Sequence, residues 1–311
     1  MKPLTLEEYA ARFAPGGTAP SGMYALSLAE AGDFSLPRRA VNTHKYSYGR
    51  AVLIGGCVGY AGAGVLAANA CERSGAGLTH LFVPESIYPV AAALVDGAIV
   101  TPLPADPSGG FSADAAQDVL PSLENASSVV IGPGLGRGEG ARTLTQYVLR
   151  GAKCPLVLDA DALTACAGDL SALDNYPAPV ILTPHEGEFA RLGGDLSAGR
   201  LTAALAFSRA HPNVILVLKG YGTLVCRGES VSVNPTGSAA MAKGGSGDVL
   251  SGLLGALLAQ GFEAYFAARC AVYLHGLAGD MARDRVGEYS LTPSDMIGSL
   301  PEAFKAVTGR R

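Results

Sequence analysis

The sequence predicts an α/β protein built on a mostly parallel sheet with helices packed on both faces. Three observations carry this. The short runs, such as 51–54, 128–131 and 180–182, are apolar apart from Ser128 rather than alternating, which suits strands covered on both sides. They alternate with segments rich in helix-forming Ala and Leu. Glycines and polar residues gather just after the runs, at the carboxyl ends, where open parallel sheets bind ligands.

Taken in order, residues 1–40 read as an N-terminal extension, with turn signals at 15–17 and 20–22 and a short helix over 6–13. From Arg50 the pattern becomes regular. A strand over 51–54 enters Gly55-Gly56, a helix follows over 61–74, and a strand follows over 78–83. The run 128–131 enters Gly132-Pro133-Gly134-Leu135-Gly136 and leads to a helix over 141–149. The run 155–158 enters Asp159-Ala160-Asp161, 180–182 enters Thr183-Pro184-His185-Glu186, and 213–218 enters Lys219-Gly220. Helices are expected over 249–260, 264–283 and 293–307. No internal repeat or polar linker interrupts the chain after residue 50, so 41–311 is expected to form one domain.

Composition narrows the function classes. Of 311 residues, 49% are hydrophobic and only 16% charged, which excludes disorder. The 41 glycines keep no three-residue period, which excludes collagen. A net charge of −4 with no basic run argues against a nucleic-acid partner. The N-terminus lacks a signal-peptide hydrophobic region, and the longest apolar stretches, such as 253–259, are too short to span a bilayer. A soluble, cytoplasmic protein without a membrane partner is expected. The six cysteines, Cys57, Cys71, Cys154, Cys166, Cys226 and Cys270, form no CxxC pair and suit reduced core thiols.

The most informative stretch runs from Asn234 to Gly252 and contains Lys243-Gly244-Gly245-Ser246-Gly247-Asp248 before an apolar helix. Several free N–H groups at a helix N-terminus then point at one spot and, with the helix dipole, form an anion hole. It is not a Walker A loop, because no Gly-Lys-Ser/Thr follows the turn. Ser246 or Asp248 could serve as a plain N-cap, but three glycines within four positions exceed what a cap needs. Asp248, beside a phosphate site, is placed to take a proton from an attacking hydroxyl. The same N–H groups are expected to depress its pKa until a bound phosphate raises it again.

Gly244-Gly245-Ser246-Gly247-Asp248 resembles the GTGD-type anion-hole motif of ribokinase-like enzymes, with Ser in place of the commoner Thr. Four further stretches are similar to the ADP-dependent NAD(P)H-hydrate dehydratases of that superfamily: 42–50 (NTHKYSYGR), 132–136 (GPGLG), 182–188 (LTPHEGE) and 218–223 (LKGYGT). Their order and spacing fit from about residue 40 to the C-terminus. The resemblance implies a three-layer α/β/α sandwich of the ribokinase-like type. It implies Asp248, Gly247 and Gly245 as catalytic residues. Ala61, Gly134, His185 and Asp248 would bind substrate, and Lys219, Gly220, Tyr221, Gly222, Thr223 and Gly247 the nucleotide.

The residues allow other readings beside this. Gly132 to Gly136 could be only a tight strand-to-helix connection, and 219–223 only a hairpin turn. The loop 55–62 superficially resembles a dinucleotide fingerprint, but its spacing fails and no acid ends a second strand, so it is read as a ligand wall. Asp159 and Asp161 could orient water around Mg²⁺, or one could cap the helix that follows. Lys45 and Arg50 could pair with phosphates or sit on a solvated surface.

The implied activity is ADP-dependent dehydration of the S-form of hydrated NADH or NADPH (NADHX or NADPHX) back to NAD(P)H, leaving AMP and phosphate. ADP is the implied phosphoryl donor, with ATP as an alternative, together with Mg²⁺ whose ligands the sequence leaves open. A homotetramer is implied by resemblance only. A ribokinase-like kinase that uses ATP on a small alcohol or a vitamin precursor of the hydroxyethylthiazole or hydroxymethylpyrimidine type is the alternative. A non-catalytic nucleotide-binding protein is another, though an intact Asp248 weighs against it. Only about 40 residues precede the first motif, too few for the epimerase domain that some members carry, so no epimerase activity is expected. Four segments (55–64, 132–140, 220–222 and 237–255) cover 41 residues and hold 18 of the 41 glycines, about three times an even spread. The glycine excess is largely a map of one site.

Overall fold

The computed structural model describes residues 1–13 and 19–308; the turn signal at 15–17 lies outside them. Among the described residues, eleven strands form one sheet. They are β1 (Lys2–Pro3), β2 (Ala25–Leu28), β3 (Arg50–Ile54), β4 (Leu78–Pro84), β5 (Ile99–Leu103) and β6 (Ser128–Ile131). After them come β7 (Leu156–Leu158), β8 (Val180–Leu182), β9 (Val214–Leu218), β10 (Leu224–Arg227) and β11 (Ser230–Val233). The spatial order is β1-β2-β11-β10-β9-β8-β7-β6-β3-β4-β5, and every neighbouring pair from β9 to β5 is parallel.

The apolar runs are strands because both faces of each are covered. On one face Val52, Ile54, Val129, Ile131, Leu156 and Leu158 pack beneath α1 (Leu6–Phe13), α4 (Ala115–Glu124), α5 (Glu139–Gly151), α6 (Ala160–Cys166), α8 (Glu186–Arg191) and α9 (Arg200–Ala210). On the other, Ala51, Leu53, Val130, Val157 and Ile181 meet α2 (Ala61–Arg73), α3 (Tyr88–Leu94), α10 (Ser246–Ala259), α11 (Ala264–Val286) and α12 (Pro293–Thr308). One further short helix, α7 (Ser171–Asp174), adds Leu173 to the first core. The result is the three-layer α/β/α sandwich with a mostly parallel sheet.

The first residues do more than precede the fold. β2 pairs in parallel with β11, β1 extends the sheet beyond it, and Tyr9 and Phe13 of α1 are buried in the core. Strands β2, β5 and β11 had no clear sequence signature because they are short and carry polar or helix-compatible residues. Pro102 within β5 is tolerated because β5 is the last strand of the sheet. The last three helices begin and end within three residues of the expected positions.

What places the site is the fit of α2 along α10. A Cβ on Gly252 of α10 would lie only 2.0 Å from the Ala67 carbonyl oxygen of α2, so the two backbones touch at this point. Gly252→Ala should raise helix propensity by about 1 kcal/mol. Here it is expected instead to lower Tm by several degrees, because α2 must move to admit the methyl group. Gly62→Ala, in open space on α2, is the matched control and should leave Tm unchanged or raise it. Thermal unfolding that moves equally for both variants would contradict this account.

Candidate active site

Three polar side chains follow adjacent parallel strands directly: Asp159 after β7, Thr183 after β8 and Lys219 after β9. The strand register brings them together. Asp159 is buried, and its Oδ1 accepts from Thr183 Oγ1 at 2.7 Å and from Lys219 Nζ at 2.9 Å. Its Oδ2 accepts from Ser251 Oγ of α10 at 2.8 Å, so the cluster also reaches across to the helix layer. Glu188 Oε2 lies 3.8 Å from Lys219 Nζ.

The charges of this cluster are set by competition. Burial alone would raise the Asp159 carboxyl, but Lys219 and the hydroxyls of Thr183 and Ser251 outweigh it and hold the group below the ordinary carboxylate value. Burial alone would lower Lys219, but Asp159 and then Glu188 outweigh it and raise the ammonium. Both members therefore stay ionised.

Helix α10 begins directly above. Gly245, at φ +95°, adopts the left-handed backbone, and a Cβ there would lie 2.8 Å from both Leu66 of α2 and Pro293, so the turn accepts only glycine. The N–H groups of Gly245, Gly247 and Asp248 are given to no acceptor among the described residues. A Cβ on Gly247 would lie 3.4 Å from Lys219 Nζ, which places the ammonium against the open end of the helix. Positive helix end and cation converge on one point, an anion site by construction. His275 of α11 steadies this turn by donating from Nε2 to the Ser246 carbonyl at 2.8 Å, and burial pushes its pKa down to about 4, so the ring is neutral.

Asp248 behaves differently from the expectation of a depressed pKa. Burial, followed by repulsion from Asp159, raises it to about 7, with Lys219 only partly opposing. It is a carboxyl poised to exchange a proton near neutrality, beside free N–H donors.

A cavity of about 840 Å³ opens from this point. Lys219, Gly220, Tyr221, Gly222, Thr223 and Gly247, the expected nucleotide residues, all line it. Arg200 holds their loop from behind, donating to the carbonyls of Tyr221 at 2.6 Å and Leu218 at 3.2 Å. The far wall comes from 234–239 and from Val272 and Gly276 of α11. His185 also lines this cavity, although it was expected on the substrate side. Its Nδ1 accepts from the Gly187 and Glu188 N–H groups at 3.0 and 3.2 Å and caps α8, while its Nε2 lies 3.5 Å from Glu188 Oε1.

Gly134 and Ala61 lie outside that cavity, where the turn of 132–136 packs against the start of α2. A Cβ on Gly134 would lie 2.8 Å from the Tyr60 carbonyl and from Ala63, and Gly56 N–H donates to the Pro133 carbonyl at 2.8 Å. Asp248 sits in α10 beside the anion site, and α2, which starts at Ala61, packs along that helix.

Two readings are corrected. Asp159 stands at the N-cap position of α6, but neither its side chain nor that of Asp161 caps the helix: Asp159 belongs to the Lys219 cluster, and Asp161 accepts from Gly136 N–H at 3.0 Å and Arg137 Nε at 3.1 Å. Lys45 and Arg50 lie at the amino end of β3, about 15 Å of strand away from the site edge. Among the described residues no group of three or more His, Cys, Asp or Glu side chains is placed to hold a metal ion. Arg200 and His275 were missed because they reach the site from α9 and α11, and Ser251 of α10 because only packing brings its hydroxyl to Asp159. Of these, Ser251 alone had a sequence signal, lying four residues after Gly247 on the same face of the apolar helix.

The sequence pattern of the NAD(P)H-hydrate dehydratase family matches residues 51–302. A bifunctional NAD(P)H-hydrate repair enzyme of Moorella thermoacetica is 39% identical over 275 residues, covering 87% of this chain and 52% of the relative. The chain thus spans about half the length of the curated relatives it matches. A ribokinase-like superfamily protein of Enterococcus faecalis superposes with TM-score 0.81 at 28% identity, covering 91% of this chain and 97% of its own. An ADP/ATP-dependent NAD(P)H-hydrate dehydratase of Bacillus subtilis, co-crystallized with ATP/Mg²⁺, superposes with TM-score 0.76 at 30% identity, covering 90% of this chain and 98% of its own. No helix among the described residues is long and apolar enough to cross a membrane.

The raised Asp248 pKa has a consequence for stability. The folded chain holds this proton up to about pH 7, whereas the unfolded chain releases it near the ordinary aspartate value of 3.8. Asp248 therefore costs stability progressively as pH rises from about 4 to 7, by about 4 kcal/mol at most. Asp248→Asn should raise Tm at pH 8 and match the unaltered protein at the acid end of that range. Melting curves with a gain that is constant across pH would show that Asp248 ionises normally.

Proposed function

The chain belongs to the NAD(P)H-hydrate dehydratase family, and from that premise we propose that it restores hydrated NADH or NADPH in a reaction that consumes ADP. The observation that carries this reading is the juxtaposition of Asp248, poised near neutrality, with the free N–H groups of α10 and the Lys219 ammonium. The nucleotide occupies the cavity lined by the Lys219 loop, with its terminal phosphate against Gly247 and Lys219. The hydrated nicotinamide enters from the side of Ala61 and Gly134.

Asp248 accepts the proton of the ring hydroxyl as its oxygen attacks the terminal phosphorus of ADP. The bond to the bridging oxygen breaks and AMP leaves. The charge that develops on the phosphoryl oxygens is met by fixed N–H donors that need no reorganisation. Phosphate is a far better leaving group than hydroxide. Its departure with the bonding pair, and loss of a proton from the neighbouring carbon, restores the ring double bond. ADP and hydrate thus give AMP, phosphate and NAD(P)H.

ADP is preferred to ATP in this reading on the family resemblance, and the B. subtilis relative bound ATP/Mg²⁺. Mg²⁺ would be carried chiefly on the nucleotide phosphates, in keeping with its reluctance to dehydrate. A cytoplasmic location fits six free cysteines, five of them buried. A homotetramer is the assembly that the resemblance supports.

Incubation with NADHX and ADP should restore absorbance at the reduced-nicotinamide band, and Asp248→Asn should lower kcat by about 10² to 10⁴ while ADP still binds. In the unaltered enzyme kcat/KM should fall below pH 7 as Asp248 takes up its proton, and the variant should lack this limb. Absence of recovery with either ADP or ATP would overturn the reading.

A further inference from the structure

At the opposite edge of the sheet, the segments that precede β3 and β4 and the last turn of α10 enclose a second cavity of about 460 Å³. Among the described residues that line it, Arg38, Arg39 and Arg73 are cationic and none is Asp or Glu. In a chain with a net charge of −4 this is a local reversal of sign. Arg39 is oriented by neutral partners alone: its guanidinium lies 3.8 Å over the Tyr48 ring and donates to Gln260 Oε1 at 3.1 Å and to the Gly75 carbonyl. Neither Arg38 nor Arg39 makes an ion pair among the described residues, and Arg73 is 3.6 Å from the exposed Asp96. The floor is apolar, made by Leu257, Phe262 and Phe304. The segment 42–50, which the site at the carboxyl edge does not use, supplies the hydroxyls of Thr43, Ser47 and Tyr48 to the rim.

We propose that this cavity binds a small amphiphilic anion, with its phosphate or carboxylate on Arg38 and Arg39 and its apolar body on Phe262 and Phe304. Guanidinium groups match either oxyanion in a fork, and a positive patch without carboxylates concentrates anions. The volume suits a small ligand. The site is separate from the nucleotide cavity, since it lies at the far end of α10, about 14 to 18 Å along the helix axis from Asp248. It does not rest on the dehydratase reading.

Calorimetric titration of the full chain with hexyl phosphate, hexanoate and inorganic phosphate tests this. One saturable site is expected for an alkyl anion, with the better of the two heads identifying the oxyanion and inorganic phosphate binding more weakly than hexyl phosphate. Excess ADP should leave it intact and added salt should weaken it. Arg38 is exposed, so Arg38→Ala should fold normally and weaken binding about tenfold, the worth of one charge-assisted hydrogen bond. Phe304→Ala should weaken the alkyl anions but not inorganic phosphate. No saturable binding below millimolar concentration, binding unchanged by Arg38→Ala, or displacement by ADP would each overturn the proposal.

Discussion

The ion pair between Lys219 and Asp159 is the constraint on which the rest of the carboxyl edge depends. Two charges removed from water are stable only when their geometry is good and their remaining lone pairs are satisfied. Here Thr183 and Ser251 complete the Asp159 carboxylate, and the four residues come from three adjacent strand ends and the helix above them. Removing one partner of such a pair typically costs about 3–5 kcal/mol, because the survivor is left charged and buried. The cluster therefore locks the ends of β7, β8 and β9 to α10, and it holds the Lys219 ammonium against Gly247, where an anion would arrive.

The same cluster explains why Asp248 is not an ordinary surface carboxylate. Asp159 is permanently ionised, so Asp248, partly buried beside it, resists acquiring a second negative charge. Free N–H donors at a helix start would ordinarily favour the ionised form. Burial and a like charge win here, and the result is a group that changes protonation near neutral pH. Stability is given up at that position as pH rises, and the proposed reaction would draw on the proton acceptor that results.

Much of the fold was legible. Runs such as 128–131 and 180–182 are buried on both faces, and the physics of that burial is written in their composition. The glycine turns were legible for a related reason: at Gly245 a left-handed backbone and close neighbours leave no room for a side chain. Strands β2, β5 and β11 were not, because each is short and carries polar residues or a proline among its apolar ones. The N-terminal residues likewise gave no sign that β2 would pair with β11, some 200 residues later.

By itself the sequence determined the alternation of buried strands and helices, the carboxyl edge as the place of the site, and the glycine-rich start of α10. These are local properties, set by burial, backbone freedom and the order of elements. Only the tertiary structure decided which polar groups meet. It gave Asp159 to Lys219 and Asp161 to Gly136, turned His185 into the cap of α8, set Ser251 of α10 on Asp159, and brought in Arg200 and His275 from other helices. It also left Lys45 and Arg50 at the other edge. The reason is physical: a charge has no partner until packing removes water and sets its neighbours, and that happens in space rather than along the chain.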